Sequence, residues 1–492
     1  MGIQDIEKGR ILKGYKMMFK KSMICKYLAF TDTYYIVTLM LILIWNAKAC
    51  MDTPDKIQDL KYFDHDLYQF PCMYSGFVNV DEETDSNMFY WLYTVEDENP
   101  DAPFFIFLNG GPGASSQLAN FLIAGPLKII RDENGEMHVV VREDGSWAQI
   151  ANILFLDQPI GTGYSYGNLK VEGHREMRKY VLKFIKGFYE IHPEMKTKDF
   201  YVTGESYGGV LEPHIASEII DYNKQASDED KIPLKGVTIG NGFVDVVFQR
   251  INIKQIPLAL GLVQSDSIPQ IEALERKCTA ETGSHLKSAY DSCTSIWRYF
   301  TAMDGGVYRY NVEDTSVDMK NKLNDIEELL NDPEVVEQVH TQACFDANNS
   351  YSIMNFTVRN NYWEDVMNGS IAEHQYILDN DIPMLLYIGN MDQLDGPYGV
   401  QKWMQKLEWE YMPEFHSSSR QLYYYTDLDG KMKVGGNFKQ YKNLHFIIIY
   451  EGGHLLPRKQ MTVSKRMMSD FIEHKELQCH HPDNKCSLDE IT

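Results

Sequence analysis

Short, uninterrupted apolar runs that stop at glycine-rich turns organise the chain from about Phe77 to Gly240. Phe104-Phe105-Ile106-Phe107-Leu108 halts at Asn109-Gly110-Gly111-Pro112-Gly113, and Ile153-Leu154-Phe155-Leu156 halts at Asp157-Gln158-Pro159. Phe200-Tyr201-Val202-Thr203 runs into Gly204, and Val237-Thr238-Ile239 into Gly240-Asn241-Gly242. Apolar runs of this length without polar alternation fit strands covered on both faces, as in a parallel sheet. Helical periodicity fills the intervals, for instance from Arg178 to Ile191. This alternation predicts an α/β fold with a mostly parallel central sheet flanked by helices. From about 243 to 375 the pattern changes to helical, acidic and polar pieces. Ile382 to Ile388 and Phe446 to Tyr450 then resume the buried-strand pattern. The organisation expected is one core over 50–242 and 376–478, a mainly helical cap insertion over 243–375, and a tail over 479–492.

The N-terminus has a different pattern. Lys13, Lys16, Lys20, Lys21 and Lys26 precede a charge-free stretch from Thr33 to Ala47 with an apolar heart at Ile36 to Trp45. Ala47-Lys48-Ala49 follows. A basic region, a short apolar region and a small-x-small site read as a secretory signal peptide over 1–49. The apolar run falls short of the roughly 17–25 residues of a membrane span, so the expectation is cleavage with no stable membrane span. A retained signal anchor is the alternative.

Charge and cysteine content narrow the setting. The formal net charge of −23 over 492 residues excludes a phosphate-binding surface and hence nucleic acid as a partner. Seven of the eight cysteines lie beyond the signal, where an oxidising lumen permits disulfides. Cys278/Cys293 and Cys479/Cys486 are locally spaced candidate pairs. Sequons at Asn348, Asn355 and Asn368 are glycosylation candidates if the chain is secreted. The expected destination is the secretory pathway, ending in a lysosome, a vacuole or outside the cell. A homodimer is compatible with this composition. No Cys-x-x-Cys or Cys/His cluster points to a metal, and no cofactor is expected.

The chemistry centres on Gly204-Glu205-Ser206-Tyr207-Gly208, a G-x-S-x-G motif between an apparent strand and an apparent helix. That order builds a nucleophile elbow, in which a tight turn lifts the serine hydroxyl above the sheet edge. A serine hydroxyl needs a base, and the base needs an orienting carboxylate. On this scaffold the partners follow in the order acid, then histidine. Asp392, after the strand ending in Ile388, and His454, after the strand ending in Tyr450, satisfy both order and placement. The Tyr207 amide offers one donor to an oxyanion. The Asn109–Gly113 loop is suited to offering a second, and it lacks the Gly-Lys-Ser/Thr of a phosphate loop.

With those residues in place, the chain resembles the serine carboxypeptidase family of α/β-hydrolases. The stretches that carry the resemblance are FLNGGPGASS (107–116), SWAQIANILFLDQPIGTGYSY (146–166), FYVTGESYGG (200–209), LKGVTIGNG (234–242), GNMD (389–392) and EGGHLLP (451–457). The resemblance implies an α/β-hydrolase fold and a Ser206–Asp392–His454 triad. It also implies an oxyanion hole of the Gly111 and Tyr207 amides, and binding of a peptide's terminal carboxylate by Asn109 and Glu205. The activity implied is release of C-terminal amino acids from peptides through an acyl-enzyme. Two carboxylates sharing a site raise the pKa of one, so Glu205 is expected to be protonated and the optimum acidic.

Several positions depart from the family pattern. Phe107 stands where Trp is usual, and Ile123 where a glutamate usually precedes the Gly-Pro. Neither can join a polar network around the substrate carboxylate. Ala114 replaces a usual cysteine, which leaves Cys344 in need of another partner. Asp395-Gly396 stands for Cys-Asn, and Lys459 for an acidic residue. Ester hydrolysis or acyl transfer on the same scaffold, and a binding role with dispensable catalysis, are the competing readings.

Overall fold

The computed structural model describes residues 50–95, 99–171, 173–282, 286–303, 305–347, 349–483 and 485–486. The expected signal peptide over 1–49, the sequon at Asn348 and the last residues of the tail lie outside them. Everything below belongs to the unit Met51–Thr492.

The apolar runs read from the sequence become strands. β1 (Met73–Asp81), β2 (Ser86–Tyr93), β3 (Phe104–Leu108), β4 (Leu127–Arg131), β5 (Met137–Val141), β6 (Asn152–Leu156), β7 (Phe200–Glu205) and β8 (Leu234–Gly240) precede the insertion. β9 (Val307–Tyr308) and β10 (Asn311–Thr315) lie within it, and β11 (Met384–Gly389), β12 (Gln421–Thr426), β13 (Met432–Tyr441) and β14 (Leu444–Ile449) follow it. Ten of these form one sheet in the order β1-β2-β6-β3-β7-β8-β11-β14-β13-β12. The six strands from β6 to β14 run parallel, and β1, β2, β13 and β12 add antiparallel edges. Every residue of β3, β6, β7 and β11 is buried, because helices cover both faces of the parallel centre.

The helix His174–Ile191 buries Met177, Val181, Phe184, Ile185 and Phe188 on one stripe, while its other faces carry Lys and Glu. The helix Gly208–Asn223 buries nearly its whole length behind β7. The segment after β8 is mostly helical, as its composition implies, with the small β9–β10 hairpin inside it. A disulfide joins Cys278 to Cys293 and so ties the helix Ile268–Glu281 to the helix Leu286–Thr301. A second joins Cys479 to Cys486. The tail around it accepts hydrogen bonds from Leu422 and Tyr424, which covers the β12 edge against pairing with other chains. Cys344 takes no partner and remains a buried free thiol.

The sheet's topology gathers the functional loops. β3, β7, β8, β11 and β14 are neighbours with a common direction. Their C-terminal ends carry Asn109–Gly113, Ser206, Asn241, Asp392 and His454 respectively.

Candidate active site

Ser206 leaves β7 with φ +61, in the left-handed region that a non-glycine residue adopts only when its surroundings enforce it. Those surroundings are visible. The Ser206 amide donates to Gly240 O at 3.0 Å, and Ser206 O accepts from Phe243 N at 2.7 Å and Gly209 N at 2.9 Å. The strained residue is thus clamped by β8 and by the first turn of the following helix.

His454 and Asp392 meet as expected. Nδ1 of His454 donates to Oδ2 of Asp392 at 2.6 Å, and both residues are buried. Burial by itself would disfavour the imidazolium. The Asp392 charge and hydrogen bond outweigh it, with Asp395 adding to them, so the imidazole is held well above its ordinary value. Ser206 Oγ makes no hydrogen bond to the imidazole among the described residues. The serine and Tyr310 line one pocket, and the Tyr310 ring lies 4.5 Å from that of His454. Unliganded sites commonly leave this nucleophile–base bond long.

The glycine-rich loop reaches the elbow because it has no side chain to obstruct it. A Cβ on Gly110 would lie 2.3 Å from Tyr207 N and 2.9 Å from Ser206 Cβ. Gly111 has φ +107, a conformation suited to glycine. Asp157 fixes the loop from below, accepting from Ser115 Oγ at 2.7 Å, Ser116 N at 2.8 Å and Tyr164 N at 3.0 Å. The amides of Gly111 and Tyr207 donate no hydrogen bond among the described residues, so both are available to an external oxygen.

Glu205 and Asn109 sit beside this wall. Glu205 is fully buried, and both its carboxyl oxygens lack a partner, as does Asn109 Oδ1. Burial pushes the Glu205 carboxyl up to about 8; His454 opposes that rise and Asp392 adds to it. Phe107 packs against Trp147 and Phe155 with ring centroids 6.0 and 5.6 Å away, and Ile123 is wholly buried. Neither supplies a polar group.

Four contributors escaped the sequence reading. Asn241 donates Nδ2 to Asp392 Oδ2 at 3.0 Å and accepts from Gly389 N at 2.9 Å, locking the acid to the end of β11. Its presence in the Gly-Asn-Gly after β8 was the available signal. Arg250 pairs with Asp395 at 2.9 Å, and Oδ2 of Asp395 lies 4.0 Å from His454 Nδ1. Tyr310 O accepts from His454 N at 2.6 Å. Glu212 is buried with both oxygens unpartnered. Its carboxyl lies over Gly204 and Gly208, where a Cβ would come within 2.1 and 2.2 Å of Oε1. Burial, then the neighbouring Glu205, hold it protonated. A lone glutamate inside the apolar GVLEPHIA was its signal.

Of the described sequons, Asn368 is exposed at the end of the helix Trp363–Asn368. Asn355 is engaged on both sides of its amide. Oδ1 caps the helix Phe356–Asn361, and Nδ2 donates to Gly161 O at 2.7 Å.

Comparison with known proteins places this geometry in company. A family model described as serine carboxypeptidase matches residues 68–474. Serine carboxypeptidase S10 family member 2 of Dictyostelium discoideum is 28% identical over 426 residues, covering 82% of this chain and 73% of that protein. Carboxypeptidase Y homolog A of Sclerotinia sclerotiorum is 30% identical over 425 residues, covering 81% and 72%. In fold, the chain is similar to the crystal structure of Kex1(delta)p, a prohormone-processing carboxypeptidase from Saccharomyces cerevisiae. The TM-score is 0.73 at 23% identity, over 82% of this chain and 92% of that one.

Proposed function

Since the chain belongs to the serine carboxypeptidase family and is a serine-type carboxypeptidase, we propose that Ser206, His454 and Asp392 carry its chemistry. His454 takes the proton of Ser206 Oγ as that oxygen attacks the carbonyl of the last peptide bond. The amides of Gly111 and Tyr207 stabilise the oxyanion. His454 then passes the proton to the leaving nitrogen, and the terminal amino acid departs. A water activated by the same imidazole opens the acyl-serine and releases the shortened peptide. Asp392 holds the imidazole in one tautomer throughout, and Asn241 holds Asp392.

The observation that carries this reading is the conjunction of a strained Ser206 and two unspent amides with an Asp392–His454 pair at 2.6 Å on the same sheet edge. Asn109 and Glu205 bind the substrate's terminal carboxylate. A protonated Glu205 donates to an anion, and the side-chain amide nitrogen of Asn109 is a second donor of the right kind. Carboxylate recognition thereby fades as Glu205 ionises, around pH 8 and above. The substrates are peptide or protein C-termini. A secretory route to a lysosome, a vacuole or the exterior suits two disulfides and an exposed sequon, and among the described residues no helix is long and apolar enough to cross a membrane.

The test is trimming of N-blocked dipeptides and of their C-terminal amides and esters. Ser206→Ala is expected to abolish release of the terminal residue while leaving thermal stability within error. Turnover of esters with none of free-carboxylate peptides would assign the site to ester chemistry instead.

A further inference from the structure

Building on the carboxypeptidase reading, we infer that the pocket beside Ser206 selects peptides carrying an acidic side chain in the last two positions, through Arg309 and Arg359. The pocket is open to solvent at its mouth. Its wall includes Ser206 and Gly111, so whatever fills it sits beside the reacting carbonyl.

The charges on that wall run opposite to the rest of the chain. Acidic residues outnumber basic ones 70 to 47 overall, so an average arginine here has carboxylates to spare. The pocket wall carries Arg250, Arg309 and Arg359, with Asp395 as its one carboxylate among the described residues. Asp395 is already taken by Arg250 at 2.9 Å, and both are buried. Neither Arg309 nor Arg359 pairs with any carboxylate among the described residues. Two uncompensated guanidinium groups therefore face the space that the substrate enters. A cleft lined by one sign of charge raises the local concentration of the opposite sign, and guanidinium groups match carboxylates in bidentate geometry.

Arg309 is held in place. The Arg309 guanidinium lies 4.4 Å from the Trp297 ring centroid and 5.3 Å from that of Tyr310, stacked as cation–π pairs require. Its carbonyl accepts from Gln393 N at 3.1 Å, which ties it to the Asp392 loop. Arg359 is half-buried on the helix Phe356–Asn361, whose Val358 packs against Gly113 and Gly161. The ring contacts orient the Arg309 cation before substrate arrives, so less ordering entropy opposes a carboxylate bound there. The substrate's own terminal carboxylate is the other anion in reach, but the protonated acid of Glu205 and the amide nitrogen of Asn109 already suit it.

The experiment compares kcat/KM for N-blocked dipeptides that differ only by Glu against Gln, with the change at the terminal position in one pair and at the penultimate position in the other. Gln keeps the shape and removes the charge. The wild-type protein is expected to favour Glu at one of the two positions by at least about tenfold, the equivalent of one charge-assisted contact. Added salt should shrink the preference. Arg309→Gln and Arg359→Gln should each lower the Glu/Gln ratio, and Arg309→Glu should reverse it toward Lys. Equal rates for Glu and Gln at both positions in the wild-type protein overturn the inference without any variant being made. A ratio unchanged in the double arginine variant also overturns it. So does a uniform loss across all free-carboxylate peptides, which would move the arginines to the terminal carboxylate. If no dipeptide is trimmed at all, the activity reading fails and takes this one with it. Trimming without charge preference removes this one alone.

Discussion

Glu205 makes stability depend on pH in a direction opposite to that of ordinary carboxylates. Its carboxyl is buried, with neither oxygen partnered, and is pushed from 4.5 up to about 8. Between those values the folded chain holds a proton that the unfolded chain has released. Stability therefore falls as pH rises across that window and is fully restored below the unfolded value. Each pH unit costs about 1.4 kcal/mol, so the whole window amounts to roughly 4–5 kcal/mol from this one group. His454, buried but raised by Asp392, acts in the same sense, whereas four other buried imidazoles act in the opposite one. Burial holds His174, His214, His374 and His445 below their ordinary value, so they add stability as pH rises through the unfolded histidine range. The wild-type curve sums both, and the informative quantity is its difference from Glu205→Gln, which keeps the shape and cannot ionise. Urea midpoints followed by tryptophan fluorescence, taken at steps from about pH 5 to pH 8, measure that difference. The variant should gain on the wild-type protein steadily with pH. Parallel profiles, offset by a constant, would refute the assignment of a displaced proton to Glu205.

Other expectations follow from single contacts. Asp392→Asn should lower kcat by about 10⁴-fold with little change in KM, because the histidine loses its tautomer and not its place. Asn241→Ala removes the 3.0 Å hydrogen bond to Asp392 and strands the Gly389 amide. A fall in kcat of about tenfold, with a modest loss of thermal stability, is expected in steady-state assays. Arg250→Met removes the guanidinium from the buried Asp395 and leaves it only the Gln249 amide at 3.2 Å and His454 at 4.0 Å, which should cost about 3 kcal/mol in denaturant titration. The double variant Arg250→Met/Asp395→Leu should recover most of that loss, and no recovery would count against a paired charge.

What could be read in advance depended on where each residue's partner lay along the chain. β3, β6 and β7 were legible because both faces of the parallel centre are covered, which prints an unbroken apolar run. β13 was not, since its first three residues are exposed at the sheet margin and their side chains are free to be polar. Ser206, Asp392 and His454 were legible because chain order and strand ends constrain them locally. Asn241, Arg250 and Tyr310 act through neighbours far away in sequence, and pattern alone does not bring such pairs together. Cys344 is the converse case. A buried, unpaired thiol behaves as a small apolar side chain and has no need of the second cysteine that its position suggested.

The β9–β10 hairpin gives the molecule a particular evolutionary constraint. Arg309 faces the substrate, while the next residue, Tyr310, covers the His454 ring and accepts its backbone amide. One short loop thus lines the pocket beside Ser206 and steadies His454, the proposed general base. Descendants that alter this loop to accept new cargo also disturb the proton relay, so drift in preference here is coupled to drift in rate. Changes at Arg359, on a separate helix, escape that coupling. The lineage's freest route to a new diet runs through the second arginine, not the first.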